Sequence, residues 1–501
     1  MLFPTIRFAI FFSVVLPASW LLMPRHFRWR VFMVAASFVF YASWNTSYVL
    51  LLGTSILGNQ FFANLVHRAP DDGARRRRLI AALVGDLTLL GWFKYVGFLS
   101  SSAGSALRFL HIGWQPPVPN VLLPVGISFF TFQAISYVVD VYRREIEPTS
   151  FLDFAVYLSF FPHLVAGPIV RAKELVPQLR VRRDPRRVEA GRAFWLIGAG
   201  LFKKVVIASY LAGAADSVFD FPHQHGGLST LVGIYAYALQ IYADFSGYTD
   251  IAIGLALLLG FRFPLNFDAP YTSSSLQEFW RRWHMTLSRW LRDYVYIGLG
   301  GNRDGRARMY RNIMITMLLG GLWHGAAWTF VFWGALHGGG LVLERYWRER
   351  RTARHHDAMV ALGAVTARAS GSDAVATAEP TAPAVPLELP KSTARLWLHR
   401  VVVFQFVCLG WVFFRAPTIH DAFVVLGRLV FHRDGNVDLG VVLVVALMLA
   451  SQFVPRDVVG RIQVAFTRWG FGVQIAALAL VLLLIDVLGP TGIAPFIYFQ
   501  F

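Results

Sequence analysis

Long apolar runs recur from one end of the chain to the other, and short polar connections separate them. A bilayer core about 30 Å thick requires roughly 20 residues of α-helix to cross it, which is the typical length of these runs. The pattern predicts crossings at residues 5–23, 31–45, 47–66, 79–98, 119–142, 193–215, 229–259, 396–415, 437–454 and 470–489. It therefore predicts an all-α fold, a polytopic integral membrane helical bundle.

Two segments depart from this simple pattern. Residues 151–169 are apolar but contain Pro162, Gly167 and Pro168. Because broken backbone at membrane depth must line protein or water, we expect a re-entrant segment here. Residues 272–300 combine aromatic and basic side chains at a density typical of an interfacial helix at headgroup level. The bundle is therefore expected to contain both re-entrant and interfacial elements.

Composition and charge support a membrane protein. The 501 residues are 56% hydrophobic and only 15% charged, whereas a soluble domain of this length needs far more surface charge. The net charge of +18 is concentrated in short connections such as 67–78, which predicts that these are cytoplasmic and that the N-terminus is outside. This distribution argues against a nucleic-acid partner. The single cysteine, Cys408, lies in an apolar run and excludes disulfides within the chain.

Residues 352–394 have a different composition from the rest of the chain. They are rich in Ala, Pro, Ser and Thr, a composition that cannot bury enough apolar surface to fold. We expect a disordered cytoplasmic loop inserted into a single membrane domain that spans residues 1–501. The first apolar segment has no cleavable signal-peptide end and is expected to be a retained span.

A histidine in an apolar segment is the strongest candidate for chemistry. His324 lies thirteen residues after Arg311, and thirteen residues of helix rise about 20 Å, past the middle of the bilayer core. An ionisable group at that depth is costly and suggests a function. The alternative is a core histidine bonded to a backbone carbonyl. Glycines at 320, 321 and 325 favour function, because they permit close approach of a backbone or a substrate. His337 is interpreted as structural or supporting.

Other polar residues in apolar surroundings have two interpretations each. Asp244 and Asp250 are buried acids, for which an interhelical hydrogen-bond network is favoured over a role in orienting a histidine. His163 is similarly ambiguous. Arg281 and Arg282 either anchor an interfacial helix or attract an anionic donor, such as a phosphate-bearing thioester carrier. Histidine spacing typical of metal ligands is absent from the sequence, so no metal is expected.

Five stretches carry a resemblance to a known family. They are "LLPVGISFFTFQAISYVVDVYR" (122–143), "FFPHLVAGPIVR" (160–171), "DFSGYTDIAIGLALLLGFRF" (244–263), "EFWRRWHMTLSRWLRDYVYIGLGGNR" (278–303) and "MLLGGLWHGAAWTFVFWGALHG" (317–338). In this order they resemble the membrane-bound O-acyltransferase (MBOAT) family, in its bacterial polysaccharide-acetylating branch. The insertion at 352–394 departs from the family pattern.

The resemblance implies an MBOAT fold and a set of functional residues. It implies that His324 is the family's invariant membrane histidine and that His284 is the second histidine of this branch, both catalytic. The residues expected to bind substrate or donor are Arg281, Arg282, Trp323 and Asp293. The implied donor is an acyl thioester, acetyl-CoA or an acyl carrier, with no bound cofactor. The implied partners are periplasmic or membrane-anchored acetyltransferase proteins, a polysaccharide acceptor and membrane lipids, at the bacterial inner membrane.

Three functions remain open from the sequence. The first is an O-acetyltransferase that passes acetyl groups across the membrane to an exported, alginate-like polysaccharide. The second is a D-alanyl transferase that takes its group from a carrier protein, and the third is a transporter without acyl chemistry. Acyl transfer to a hydroxyl needs a base for the hydroxyl proton and donors for the tetrahedral oxyanion, and a membrane histidine meets the first need.

Overall fold

The regular structure of this chain is helical. The computed structural model describes residues 1, 3–119, 121–369, 392–432 and 435–488, and these residues contain no β-strand. The α-helices are α1 (Ile6–Leu22), α2 (His26–Ala42), α3 (Ser47–His67), α4 (Asp72–Leu90), α5 (Val96–Phe109), α6 (Ile127–Tyr142), α7 (Phe151–Ser159), α8 (Phe161–Leu164), α9 (Ala172–Arg180), α10 (Ala190–Leu201), α11 (Ala208–Asp220), α12 (Gly227–Leu258), α13 (Leu276–Arg282), α14 (Met285–Trp290), α15 (Arg306–His324), α16 (Trp328–Ala369), α17 (Thr393–Arg415), α18 (Ile419–Phe431), α19 (Leu439–Ser451), α20 (Arg456–Arg468) and α21 (Phe471–Leu488). The predicted all-α fold is confirmed.

Several of these helices can cross a membrane. In the described part of the chain, four helical stretches are long and apolar enough: Ser47–His67, Asp72–Phe109, Ala190–Asp220 and Thr393–Arg415. A bent pair formed by α20 and α21 raises the number to five if it counts as one span. Helices α1, α6 and α19 are apolar but shorter, between 10 and 17 residues. The chain is therefore a multi-pass membrane protein.

Three sequence-based boundaries need correction. The connection between the predicted crossings at 79–98 and 119–142 is helical as far as Phe109, and α6 begins only at Ile127. The expected loop at 352–394 begins as helix, because α16 continues to Ala369; arginine and alanine, frequent in this stretch, favour helix. Residues 370–391 of that predicted loop lie outside the described residues. The cytoplasmic location of 67–78 and 352–394 stays a prediction.

The two irregular segments take the following forms. Residues 151–169 are broken at Phe160 into α7 and α8, and their side chains are buried apart from Phe151 and Leu152, which agrees with broken backbone that lines protein. The expected interfacial helix at 272–300 is not one helix. It is divided into α13, α14 and a π-helical turn, and it directs Trp283 and Trp290 into the bundle. Its aromatic residues therefore serve the protein interior as well as a surface.

Helix α12 forms the centre of the bundle and contains both predicted buried acids. The ammonium of Lys204 is paired with Asp244, and that of Lys203 lies 2.5 Å from Asp250. Both lysines belong to the π-helical turn Phe202–Ile207 between α10 and α11. The preferred interpretation, an interhelical polar network, is confirmed, and it takes the form of ion pairs.

Helices α15 and α16 form a hairpin whose backbones approach closely. A Cβ on Gly334 would lie 2.5 Å from the carbonyl oxygen of Met317, and a Cβ on Gly321 would collide with the carbonyl oxygen of Phe330. Glycine is required at both positions, because any side chain would force the two helices apart. The turn of the hairpin follows His324, which is the last residue of α15.

We expect Gly334→Ala to lower the thermal unfolding temperature of the detergent-purified protein, since overpacking typically costs about 1 to 3 kcal/mol. Gly339→Ala is the matched control on the same helix, because a Cβ there meets no atom within 4 Å. This control should unfold at or slightly above the wild-type temperature. Equal unfolding temperatures for the two variants would contradict the close contact between the helices.

Candidate active site

His324 lies at the buried end of the α15–α16 hairpin. Its side chain is inaccessible apart from a small fraction, 4% for the whole residue. The imidazole is enclosed by aromatic rings, with centroid distances of 5.1 Å to Trp323, 5.2 Å to Trp333 and 5.2 Å to Phe414. Gly325 then continues in an extended conformation and turns the chain toward α16. The structure thus holds this histidine in an apolar, aromatic environment.

His284 is held by an unusual backbone conformation. Its φ of 41° is left-handed, which is rare and costly for a residue with a side chain and is often found at functional sites. Its Nδ1 accepts the backbone N–H of Leu287 at 3.3 Å and so caps α14. In a neutral imidazole this leaves the proton on Nε2, which is buried and has no hydrogen-bond partner among the described residues. His284 therefore presents a buried N–H donor.

Trp323 contacts both histidines. Its ring is 5.8 Å from that of His284 and 5.1 Å from that of His324, edge to face in both cases. Its indole N–H donates to the carbonyl oxygen of Ser128 on α6 at 3.3 Å. The two histidines predicted from the sequence therefore both contact one tryptophan.

A cavity of about 410 Å³ connects His324 with the surface. At its buried end it is lined by His324, Trp333 and Gly320. Its wall is largely apolar and includes Met317 on α15 and Leu341 on α16. The cavity extends along α16 to Arg348, fifteen residues beyond Trp333, which corresponds to about 22 Å of helix.

The outer end of the cavity is strongly basic. Five arginines line it, namely Arg281, Arg289, Arg292, Arg345 and Arg348. Three of them are paired with acids: Arg289 with Glu174 at 3.3 Å, Arg292 with Asp293 at 2.7 Å, and Arg345 with Glu349 at 3.0 Å.

The other two arginines have no such partner. Within the described residues, Arg281 and Arg348 form no ion pair, and Arg348 donates to the neutral Gln277 at 2.7 Å. Both are exposed. They come from different helices, α13 and α16, and line the same opening. This opening therefore offers an anion two guanidinium groups that have no ion-pair partner among the described residues. The lining also contains one carboxylate, that of Glu344, which accepts the backbone N–H of Leu276 at 2.6 Å.

Among the predicted donor-binding residues, only Arg281 reaches the cavity wall. Arg282 forms an ion pair with Glu278 at 2.7 Å within α13. Asp293 binds Arg171 and Arg292, each at 2.7 Å. Trp323 packs against both histidines as described. The structure thus gives these three residues positioning contacts, away from the cavity surface.

The sequence did not single out Trp333, Arg345 or Arg348. Arg345 and Arg348 belong to the basic run at 345–351, which the sequence alone predicts to be a cytoplasmic connection. Their spacing of three residues, which places both on one helix face, was the signal that could have found them. Trp333 gave no signal, because it is one of many aromatic residues in an apolar run.

Two other candidate histidines, His163 and His337, are packed in the protein interior. His163 is fully buried, and its Nε2 lies 2.9 Å from the carbonyl oxygen of Tyr157. His337 is fully buried and packs against Trp333 at 4.8 Å and Trp280 at 5.2 Å. The interpretation of His337 as a supporting residue agrees with these contacts, since Trp333 separates it from the cavity end.

The family model for MBOAT, the membrane-bound O-acyltransferase family, matches residues 12–365. The chain belongs to this family. It is a membrane protein of the O-acyltransferase class, and His324 lies within the matched region.

Curated relatives refine the comparison. A probable alginate O-acetylase of Pseudomonas aeruginosa is 44% identical over 350 residues, 69% of this chain and 66% of that protein. The peptidoglycan O-acetyltransferase of Helicobacter pylori is 36% identical over 432 residues, 80% of this chain and 73% of that protein. The teichoic acid D-alanyltransferase of Streptococcus thermophilus is 28% identical over 255 residues, 46% of this chain and 59% of that protein.

His284 has two separable features, a side chain that caps α14 and an imidazole N–H, and one substitution can remove the second while keeping the first. Asparagine tolerates the left-handed conformation and can cap a helix, so His284→Asn should fold and accumulate normally. It lacks the imidazole N–H. If this donor stabilises developing charge during acyl transfer, the rate should fall by about 10² to 10³.

His284→Ala provides the comparison, because it loses both the cap and the imidazole. Acyl-transfer rates and unfolding temperatures would be measured for both variants. Wild-type transfer by His284→Asn would show that the histidine is only a helix cap.

Proposed function

We propose that this chain is an O-acetyltransferase of the bacterial inner membrane that passes acetyl groups from a cytoplasmic thioester to a hydroxyl of an exported polysaccharide. The observation that carries the proposal is the single cavity that joins an arginine-lined opening to the buried His324. Relatives named as alginate O-acetylase and peptidoglycan O-acetyltransferase support the acetyl group and the polysaccharide acceptor.

The cavity suits a donor with a charged end and a long, weakly polar arm. Phosphates at the opening would face Arg281 and Arg348, whose guanidinium groups bind phosphate in bidentate geometry. The arm would follow the apolar wall toward His324, where the thioester would be shielded from water. Acetyl-CoA has this form, and so does an acylated phosphopantetheine on a carrier protein.

Proton transfer at His324 accounts for the chemistry. The imidazole takes the proton of the acceptor hydroxyl while the hydroxyl oxygen attacks the thioester carbonyl carbon. The resulting tetrahedral oxyanion requires a hydrogen-bond donor. We assign this role to the buried Nε2–H of His284, although His284 contacts Trp323 and does not itself line the cavity. When the oxyanion collapses, the carbon–sulfur bond breaks, and the imidazolium returns its proton to the departing thiolate. The histidine ends the reaction neutral.

The acceptor of the acetyl group lies outside this chain. The exported polysaccharide would receive the acetyl group directly or through periplasmic or membrane-anchored acetyltransferase proteins. Membrane lipids surround the bundle, whose outer surface carries exposed leucine, valine and phenylalanine side chains.

D-alanyl transfer from a carrier protein is the second candidate. The teichoic acid D-alanyltransferases support it, but they match less than half of the chain and at lower identity. The arginine-lined opening fits either phosphate-bearing donor. A transporter without acyl chemistry is disfavoured, since the cavity ends at an imidazole enclosed by aromatic rings.

We expect His324→Gln to abolish acetyl transfer while the protein inserts and folds normally. Glutamine keeps part of the volume and some hydrogen bonding but cannot accept the proton, and general-base catalysis contributes about 10² to 10⁴ in rate. The measurement is transfer of labelled acetyl from acetyl-CoA in proteoliposomes, alongside the acetyl content of the exported polymer.

His420→Gln is the control, because that histidine is exposed and does not line the cavity. It should transfer acetyl at the wild-type rate. If His324→Gln also did so at normal protein levels, the catalytic role of His324 would be refuted. If labelled D-alanyl carrier protein, but not acetyl-CoA, supported transfer, the result would favour the D-alanyl transferase.

A further inference from the structure

The π-helical turn Gly91–Tyr95, between α4 and α5, is attached to the end of α15. The ammonium of Lys94 donates to the carbonyl oxygen of Trp323 and, at 3.3 Å, to that of His324. The hydroxyl of Tyr95 donates to the carbonyl oxygen of Leu322 at 2.7 Å. Two adjacent side chains therefore bind the last three carbonyls of the helix that carries His324.

These carbonyls need partners from outside their own helix. The last carbonyls of an α-helix have no intrahelical N–H to accept, and Gly325 leaves the helix in an extended conformation. A cation at a helix C-terminus also interacts favourably with the helix dipole. Hydrogen bonds from an ammonium are stronger than those from a neutral donor. Lys94 is thus placed to fix the peptide units on both sides of the His324 α-carbon.

Lys94 also connects this helix end to α6. Its ammonium lies 3.3 Å from the hydroxyl of Ser128, whose carbonyl oxygen accepts the indole N–H of Trp323. Among the described residues, no carboxylate lies within 4.0 Å of the Lys94 ammonium. The Lys94 ammonium therefore contacts the carbonyl oxygens at the end of α15 and the hydroxyl of Ser128. It also lies 5.9 Å from the centroid of the Trp323 ring.

We propose that Lys94 is a positioning residue for His324, which holds the end of α15 so that the imidazole faces the end of the cavity. Lys94 does not line the cavity and so has no contact with the donor there. The catalytic part of this inference rests on the proposed function, while the structural part, the anchoring of the helix end, does not.

The test uses the full-length protein in proteoliposomes. Lys94→Met keeps the length of the side chain and removes the charge. A displacement of about 1 Å at a reacting group can cost 10²-fold, so kcat should fall by about 10- to 100-fold. The KM for acetyl-CoA should stay within about twofold, because the donor-binding arginines are untouched. Lys94→Arg should restore much of kcat, since it supplies a cation that donates.

Hydrogen exchange followed by mass spectrometry gives a readout independent of catalysis. Amides of residues 320–328 should exchange faster in Lys94→Met than in the wild type, and those of α12 should not change. Tyr95→Phe removes one neutral hydrogen bond from the same helix end and should have smaller effects on both measurements. Ser128→Ala is a milder variant, to be used if Lys94→Met does not accumulate. It removes one acceptor of the Lys94 ammonium but keeps the charge of Lys94, and it should lower kcat with an unchanged KM.

Wild-type kcat and wild-type hydrogen exchange in Lys94→Met would overturn the proposal. If Lys94→Met does not accumulate, the same two results for Ser128→Ala would overturn it. A raised KM with normal kcat would also overturn it, since that places Lys94 in donor binding. Faster exchange at 320–328 combined with full activity of His324→Gln would instead refute the proposed function and leave the anchoring of the helix end standing.

Discussion

The close backbone contact between α15 and α16 determines the geometry of the whole site. Glycines at 321 and 334 remove the side chains that would separate the two helices. The hairpin can therefore reverse directly after His324 and place that residue in the protein interior. The same contact brings Trp333 beside the imidazole and directs α16 along the cavity to Arg348. A wider hairpin would not join these three residues to one enclosed volume.

The cavity also separates two electrostatic environments. Its opening is exposed and basic, where phosphates can be bound while they remain partly hydrated. Its end is aromatic and nearly closed, an environment in which charge on an oxyanion interacts strongly with nearby hydrogen-bond donors. Excluding water there would protect the thioester of the proposed donor from hydrolysis. One arrangement thus favours binding at the surface and group transfer in the interior.

Much of the fold follows from local sequence pattern, and much of the site does not. Apolar runs predict the long helices, and depth along α15 predicts that His324 is buried. The aromatic and basic residues of the segment 272–300 predict a helix at the membrane surface. The same residue types also suit a protein interior that faces a cavity, so the sequence does not distinguish the two. The basic run that contains Arg348 predicts a cytoplasmic connection, since positive charge alone does not show that a helix continues. Lys94 bonds to a residue 230 positions away, a distance at which periodicity carries no information.

The most direct test of the account is a cryo-electron microscopy structure of the wild-type protein with a hydrolysis-resistant thioether analogue of acetyl-CoA. The account predicts density in the cavity, with phosphates against Arg281 and Arg348 and the acyl end beside His324 and Trp333. An empty cavity with the analogue bound elsewhere, or an acyl end remote from His324, would contradict it.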